Sequence, residues 1–142
     1  MRLGFIGTGK IASSVITGIC NSKIFFKKIL VSPRNRNVAQ RLKRKFIKVS
    51  IAKNNQEIVN ACNWIFLAVT PKVGKKIIPN LKFRSNQKVI SFIATINLAQ
   101  LKKAIGKKVK IVRAIPLPPI SIRKGPVPIC PPDKQVKSFL IN

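Results

Sequence analysis

The chain has no histidine and no tyrosine, and its only carboxylates, Glu57 and Asp133, face 29 lysines and arginines. Each absence removes chemistry. Without histidine there is no Ser-His-Asp triad, no imidazole base and no His-bearing zinc site. Two carboxylates so far apart argue against a paired-carboxylate hydrolase. Any proton transfer falls to Lys, Cys, Ser, Thr, water or a partner chain. Cys20, Cys62 and Cys130 form no CxxC pair and no disulfide framework, so buried free thiols in a reducing cytosol are expected. No apolar run reaches the roughly 18 residues of a membrane span. Arg2 followed by apolar residues has the look of a signal peptide, but Lys10 and the glycines interrupt it. The expectation is a soluble, cytoplasmic protein with no membrane partner.

What is present is a 142-residue chain, 46% hydrophobic, with a net charge of +27. That length fits one domain, residues 1–142, with a sizeable core. The charge reads either as a solvated lysine-rich surface or as a footprint for nucleic acid or anionic membrane. Lysines recur in nearly every segment, with one local cluster at Arg41-Leu42-Lys43-Arg44-Lys45, and aromatic residues make up only 6%. Dispersal and the scarcity of stacking platforms favour the solvated surface, with non-specific polyanion binding at low salt.

The first dozen residues carry the most information. Leu3, Phe5 and Ile6 make a buried strand, after which Gly7, Gly9 and Ala12 fall at the G-x-G-x-x-G/A spacing of a dinucleotide-binding turn. Gly7 permits the tight turn, Gly9 lets a pyrophosphate approach the backbone, and Ala12 lets the next helix lie close to the sheet. That helix, Lys10 to Asn21, presents its N–H groups and positive dipole end to the phosphates; Gly18 weakens it slightly but permits close packing. Further along, Ile29-Leu30-Val31 reads as a strand, and Val38, Leu42 and Phe46 mark a helix. Val49 and Ile51 give a short strand, with Asn55 capping a helix from Gln56 to Cys62. Trp64 to Val69 is a continuous apolar run typical of a central strand, and Pro71 suits the first turn of a helix. Strands at Val89–Ile93 and Lys110–Ile115 flank a helix at Leu98–Ile105. Such alternation predicts an α/β domain, a Rossmann-type doubly wound parallel sheet. Pro116-Leu117-Pro118-Pro119 predicts an extended loop. Asp133 is expected to cap a last helix with Val136, Phe139 and Leu140 on one face, ending where a second domain would begin.

NAD-selective folds place an acid at the end of the second strand. Here Ser32-Pro33-Arg34-Asn35-Arg36 stands there instead. Guanidinium groups suit a 2′-phosphate because they donate paired charge-assisted hydrogen bonds, so the cofactor expected is NADP. The competing explanation is that arginine is simply frequent.

Taken in order, Gly4-Phe5-Ile6-Gly7-Thr8-Gly9-Lys10-Ile11-Ala12, Val31-Ser32-Pro33-Arg34, Asn55, Phe66-Leu67-Ala68-Val69-Thr70-Pro71 and Val112-Arg113-Ala114-Ile115-Pro116 resemble the N-terminal cofactor domain of pyrroline-5-carboxylate reductases. The resemblance implies NADPH-dependent hydride transfer to the C=N bond of 1-pyrroline-5-carboxylate, a small imine, in proline biosynthesis. It also implies that Ile6, Gly7, Thr8, Gly9, Lys10 and Ile11 hold the pyrophosphate. Ser32 and Arg34 would meet the adenosine phosphate, and Asn55, Ala68, Val69, Thr70 and Pro71 would line the cofactor groove. The family's helical C-terminal dimerisation domain is lacking in this chain, which implies a second polypeptide or a homo-oligomer to complete the site. Ile115-Pro116-Leu117-Pro118-Pro119 departs from the family's Met-Pro-Asn-Thr-Pro, and Ala94-Thr95-Ile96 replaces its smaller Ala-Ala-Gly turn. No catalytic residue is identified. Two other readings stay open: a non-catalytic NADP-binding module or truncated remnant, and a basic nucleic-acid-binding protein.

Overall fold

The computed structural model describes residues 1–141. Strands and helices alternate as β1 (Arg2–Ile6), α1 (Lys10–Cys20), β2 (Lys28–Val31), α2 (Arg36–Lys45), β3 (Val49–Ile51), α3 (Asn55–Ala61), β4 (Trp64–Leu67), α4 (Pro71–Ile77), β5 (Lys88–Ser91), α5 (Leu98–Ile105), β6 (Lys110–Ala114), β7 (Ile129–Cys130) and α6 (Lys134–Ile141). Short 3₁₀ turns occupy Ile78–Asn80 and Pro118–Ile122. The strands form one sheet in the order β3-β2-β1-β4-β5-β6-β7. The first six are parallel and β7 runs antiparallel to β6. This is the expected Rossmann-type doubly wound sheet, with strand order reversing between β1 and β4.

Because side chains alternate across a strand, the sheet carries one core on each face. Leu3, Phe5 and Phe66 join α1, α2, α6 and the Pro118–Ile122 turn in one cluster. Ile6, Ile65 and Leu67 join α3, α5 and Ile78 in the other. Phe5 and Phe66 face each other in register across β1 and β4, their rings stacked 4.4 Å apart. Burying a large side chain of this kind contributes roughly 1.5–3 kcal/mol, so this pair anchors the two strands that border the order reversal.

Several expectations are corrected. The extended loop after Pro116 instead bends into the Pro118–Ile122 turn, which packs on α1 at Gly18, where a Cβ would collide with the Ile120 carbonyl. The helix cap is Asn54, whose side chain accepts from the Glu57 N–H at 2.9 Å; Asn55 is the first helical residue. Strand β7 was not anticipated, since only two residues between prolines carry it. Of the thiols, all free, only Cys62 is buried; Cys20 is half-buried and Cys130 exposed. Burial pushes the Cys62 thiol up to about 11 despite Arg2, Arg84 and Lys28 nearby. No helix among the described residues is long and apolar enough to cross a membrane.

Asp133 accounts for half of the chain's negative charge and is buried. Its carboxylate accepts from the Val136 N–H at 2.9 Å, capping α6 as expected, and takes Lys88 Nζ at 3.0 Å and Lys110 Nζ at 3.1 Å. The buried Lys88 ammonium also donates to Gln135 Oε1 at 2.7 Å and sits 4.7 Å from the Trp64 ring centre. Burial raises the Asp133 pKa, but the Val136 N–H and the two ammonium groups outweigh it and bring it down to about 2. A carboxylate depressed in the folded state stabilises the fold above the unfolded pKa of about 3.9, and that contribution is lost as pH falls toward 2. Replacing Asp133 by Asn leaves Lys88 buried without its counter-charge and is expected to cost about 3 kcal/mol in urea unfolding at neutral pH. The difference from wild type should shrink between pH 4 and pH 2, as protonation removes the wild-type charge.

Candidate cofactor-binding site

Parallel pairing sets β1, β2 and β4 side by side, so the turns leaving their carboxyl ends meet. Ile6 pairs with Leu67 and Phe5 with Val31. Past these pairs the chain opens a cleft of about 710 Å³ at the order reversal, where open α/β sheets place their ligands. Gly7, Thr8 and Gly9 come from the β1 turn, Ser32, Arg34, Asn35, Arg36 and Asn37 from β2 and α2, and Asn55 from α3. Ala68, Val69, Thr70, Val73 and Ile77 close the other wall.

Gly7 has φ +100°, and a Cβ there would run into the Ala68 carbonyl and lie 2.9 Å from Val69. Only glycine fits both the backbone conformation and the space. The Gly7 N–H donates to Ser32 Oγ at 3.0 Å, while the hydroxyl lies 2.6 Å from Asn55 Oδ1. Ser32 thus ties three loops together. Being 4% exposed, it forms cleft floor and is committed to protein partners.

Three observations test whether a dinucleotide phosphate fits. Gly9 is the N-cap of α1 with no capping side chain, and a Cβ on it would meet no atom within 4 Å. The first-turn N–H groups of an eleven-residue helix are therefore left for a ligand. Thr8 is 3% exposed, and its hydroxyl has no hydrogen-bond partner. A buried hydroxyl in that state costs free energy until something supplies a partner. Arg34 and Arg36 are exposed at the mouth of the cleft; among the described residues the carboxylate ion pairs all belong to Asp133. These residues fit a dinucleotide carrying an additional phosphate.

Of the residues singled out from sequence, Gly7, Thr8, Gly9, Ser32, Arg34, Asn55, Ala68, Val69 and Thr70 line the cleft. Ile6 is fully buried under it. Lys10 and Ile11 open α1, with Lys10 exposed and Ile11 packed on the core, and Pro71 is the first residue of α4. Thr70 caps α4, its hydroxyl accepting from the Val73 N–H. Asn35, Asn37, Val73 and Ile77 were not picked out. Val73 and Ile77 are one helical turn apart, a spacing that marks a common face; the two asparagines carried no such signal.

Residues 2–95 match the family described as NADP oxidoreductase, coenzyme F420-dependent. The chain belongs to that family. It is 29% identical over 128 residues to pyrroline-5-carboxylate reductase 3 of Danio rerio, covering 88% of this chain and 44% of the relative. It is 28% identical over 133 residues to the Escherichia coli pyrroline-5-carboxylate reductase, covering 92% and 49%. A crystal structure of Plasmodium falciparum pyrroline carboxylate reductase with NADP bound superposes with a TM-score of 0.80 at 25% identity, over 98% of this chain and 52% of that one. The chain spans about half the length of the relatives it matches.

The network around Ser32 and the lone hydroxyl of Thr8 make opposite forecasts in the free protein. Ser32→Ala strips partners from the Gly7 N–H and from Asn55 and is expected to cost about 1–3 kcal/mol in urea unfolding. Thr8→Val removes a buried hydroxyl that bonds nothing and is expected to raise stability by about 1 kcal/mol in the same measurement.

Proposed function

We propose that the cleft binds NADP(H) and that the chain is the cofactor-binding part of a reductase acting on a small imine, 1-pyrroline-5-carboxylate, to give proline. One observation carries the cofactor choice: among the described residues, the cleft mouth beyond β2 holds Arg34 and Arg36 and no carboxylate. A ribose 2′-hydroxyl is met by an acid in NAD sites, whereas a 2′-phosphate needs donors of positive charge. In this reading the N–H groups at Gly9 and the start of α1 hold the pyrophosphate, with the Thr8 hydroxyl as a further donor. Ala68 to Thr70 and the apolar Val73 and Ile77 form the wall along which the dinucleotide lies.

Bound NADPH supplies a hydride. The residues of this chain fix where it stands and exclude water from its apolar side. Positioning is a major part of such catalysis, and the substrate must be held against the nicotinamide from a second side. By analogy with the relatives, that side belongs to a helical domain, reached through the same polypeptide, a second one or a second copy. The substrate assignment rests on the ordered resemblance from Gly4 to Pro116 and on the relatives of similar sequence.

Fluorescence titration tests this directly. NADPH is expected to bind at least about tenfold more tightly than NADH, and Arg34→Ala together with Arg36→Ala should bring the two affinities together, a loss of about 1.4 kcal/mol or more. Equal affinities in the wild-type chain would remove the NADP assignment. Mixing the chain with the helical C-terminal half of the Escherichia coli relative and pyrroline-5-carboxylate should oxidise NADPH. Tight NADPH binding with no oxidation there would leave a cofactor-binding module in place of a reductase.

A further inference from the structure

At the amino ends of β2 and β3, away from the cleft, two large apolar side chains stand in solvent. Phe25, in the α1–β2 loop, is 83% exposed, and Ile47, in the α2–β3 loop, is 100% exposed. The loops are neighbours. Lys48 reaches from one to the other, donating to the Phe26 carbonyl at 3.1 Å, with its ammonium 4.8 Å from the Phe26 ring centre and 5.9 Å from that of Phe25. Ile24, Phe26, Phe46 and Ile47 line one shallow hollow together with Lys45 and Lys48. Around these tips, Lys23, Lys27, Lys28, Lys43, Arg44 and Lys45 are all exposed. No carboxylate occurs in the chain before Glu57.

Single exposed apolar residues are ordinary. Two at adjacent loop tips, set in a field of ammonium and guanidinium groups of one sign, meet the two requirements of peripheral attachment to an anionic bilayer. Apolar groups enter the boundary between headgroups and acyl chains, and cations pair with the lipid phosphates. We propose that this end of the domain is a docking surface for an anionic lipid bilayer, with Phe25 and Ile47 as the inserting residues. A nucleic acid suits it less well. Ile47 has no π face, and the Phe25 and Phe26 rings already have the Lys48 ammonium beside them, whereas single-strand binding relies on open aromatic platforms. The surface lies at the opposite ends of the strands from the cleft, so docking leaves the cofactor site open to solvent.

Sedimentation of the full chain with vesicles of phosphatidylcholine, with and without one third phosphatidylglycerol, tests the proposal at physiological and half-molar salt. Binding is expected to the anionic vesicles alone and to persist in part at high salt. Phe25→Ser with Ile47→Ser should weaken it about tenfold while leaving the thermal midpoint unchanged, since both residues are exposed. Brominated lipid should quench a Phe25→Trp variant beyond the wild-type background from Trp64. Wild-type affinity in the double serine variant would overturn the proposal. So would an equal loss from charge removal at Lys102 and Lys103 on α5 as at Lys45 and Lys48. Retention of single-stranded RNA at half-molar salt, abolished by the same serine changes, would assign the surface to nucleic acid and equally overturn it.

Discussion

The site depends on how closely the backbone of β1 and that of β4 can approach beyond their last paired residues. Gly7 turns with positive φ against the Ala68 carbonyl, and its N–H is held by the Ser32 hydroxyl at 3.0 Å. That contact brings the ends of three parallel strands to one place, with Asn55 of α3 joining through the same hydroxyl. Nothing larger than hydrogen fits at Gly7. Once the turn is made, α1 starts at Gly9 with its N–H groups facing outward and no side chain capping them. The stacked Phe5 and Phe66 rings beneath keep the two strands in register.

Most of the sheet was legible because its strands are buried on both faces and therefore read as apolar runs, such as Trp64 to Val69. The amphipathic spacing of Ile11, Val15 and Ile19 placed the first helix within a residue of its observed limits, and that of Val38 and Leu42 revealed the second, whose third marker, Phe46, lies just past its end in extended backbone. What escaped was short or local. Asn54 and Asn55 are adjacent, identical residues, and only the folded backbone shows which one caps α3. Strand β7 pairs through two residues and leaves no periodic trace. In the cleft, glycine spacing marked the β1 turn, and the missing acid after β2 marked Arg34. Ser32 was read from sequence as a group for the adenosine phosphate; it lines the cleft, but its hydroxyl accepts from the Gly7 N–H, a role that depends on a partner 25 residues away.

The extreme charge has different consequences in different places. Asp133 gathers Lys88 and Lys110 and fastens α6 to the sheet, so one of two acids secures the last helix. At the cleft mouth, Arg34 and Arg36 have no carboxylate partner among the described residues, which leaves them for an anionic ligand. Around Phe25 and Ile47 the unbalanced lysines lie beside exposed apolar groups. A uniform surplus of cations thus acquires distinct local meaning from what each is packed beside.

Mapping of backbone amide shifts in the ¹⁵N-labelled full chain during titration with NADPH tests the central claim most directly, because it reports the turn itself. The expected result is saturable movement of the Gly7, Thr8, Gly9 and Ile11 amides together with Arg34 and Val69, while β7 and α6 stay still. Saturation that leaves the Gly7–Gly9 turn unmoved, or no saturable change in a folded sample, would contradict it.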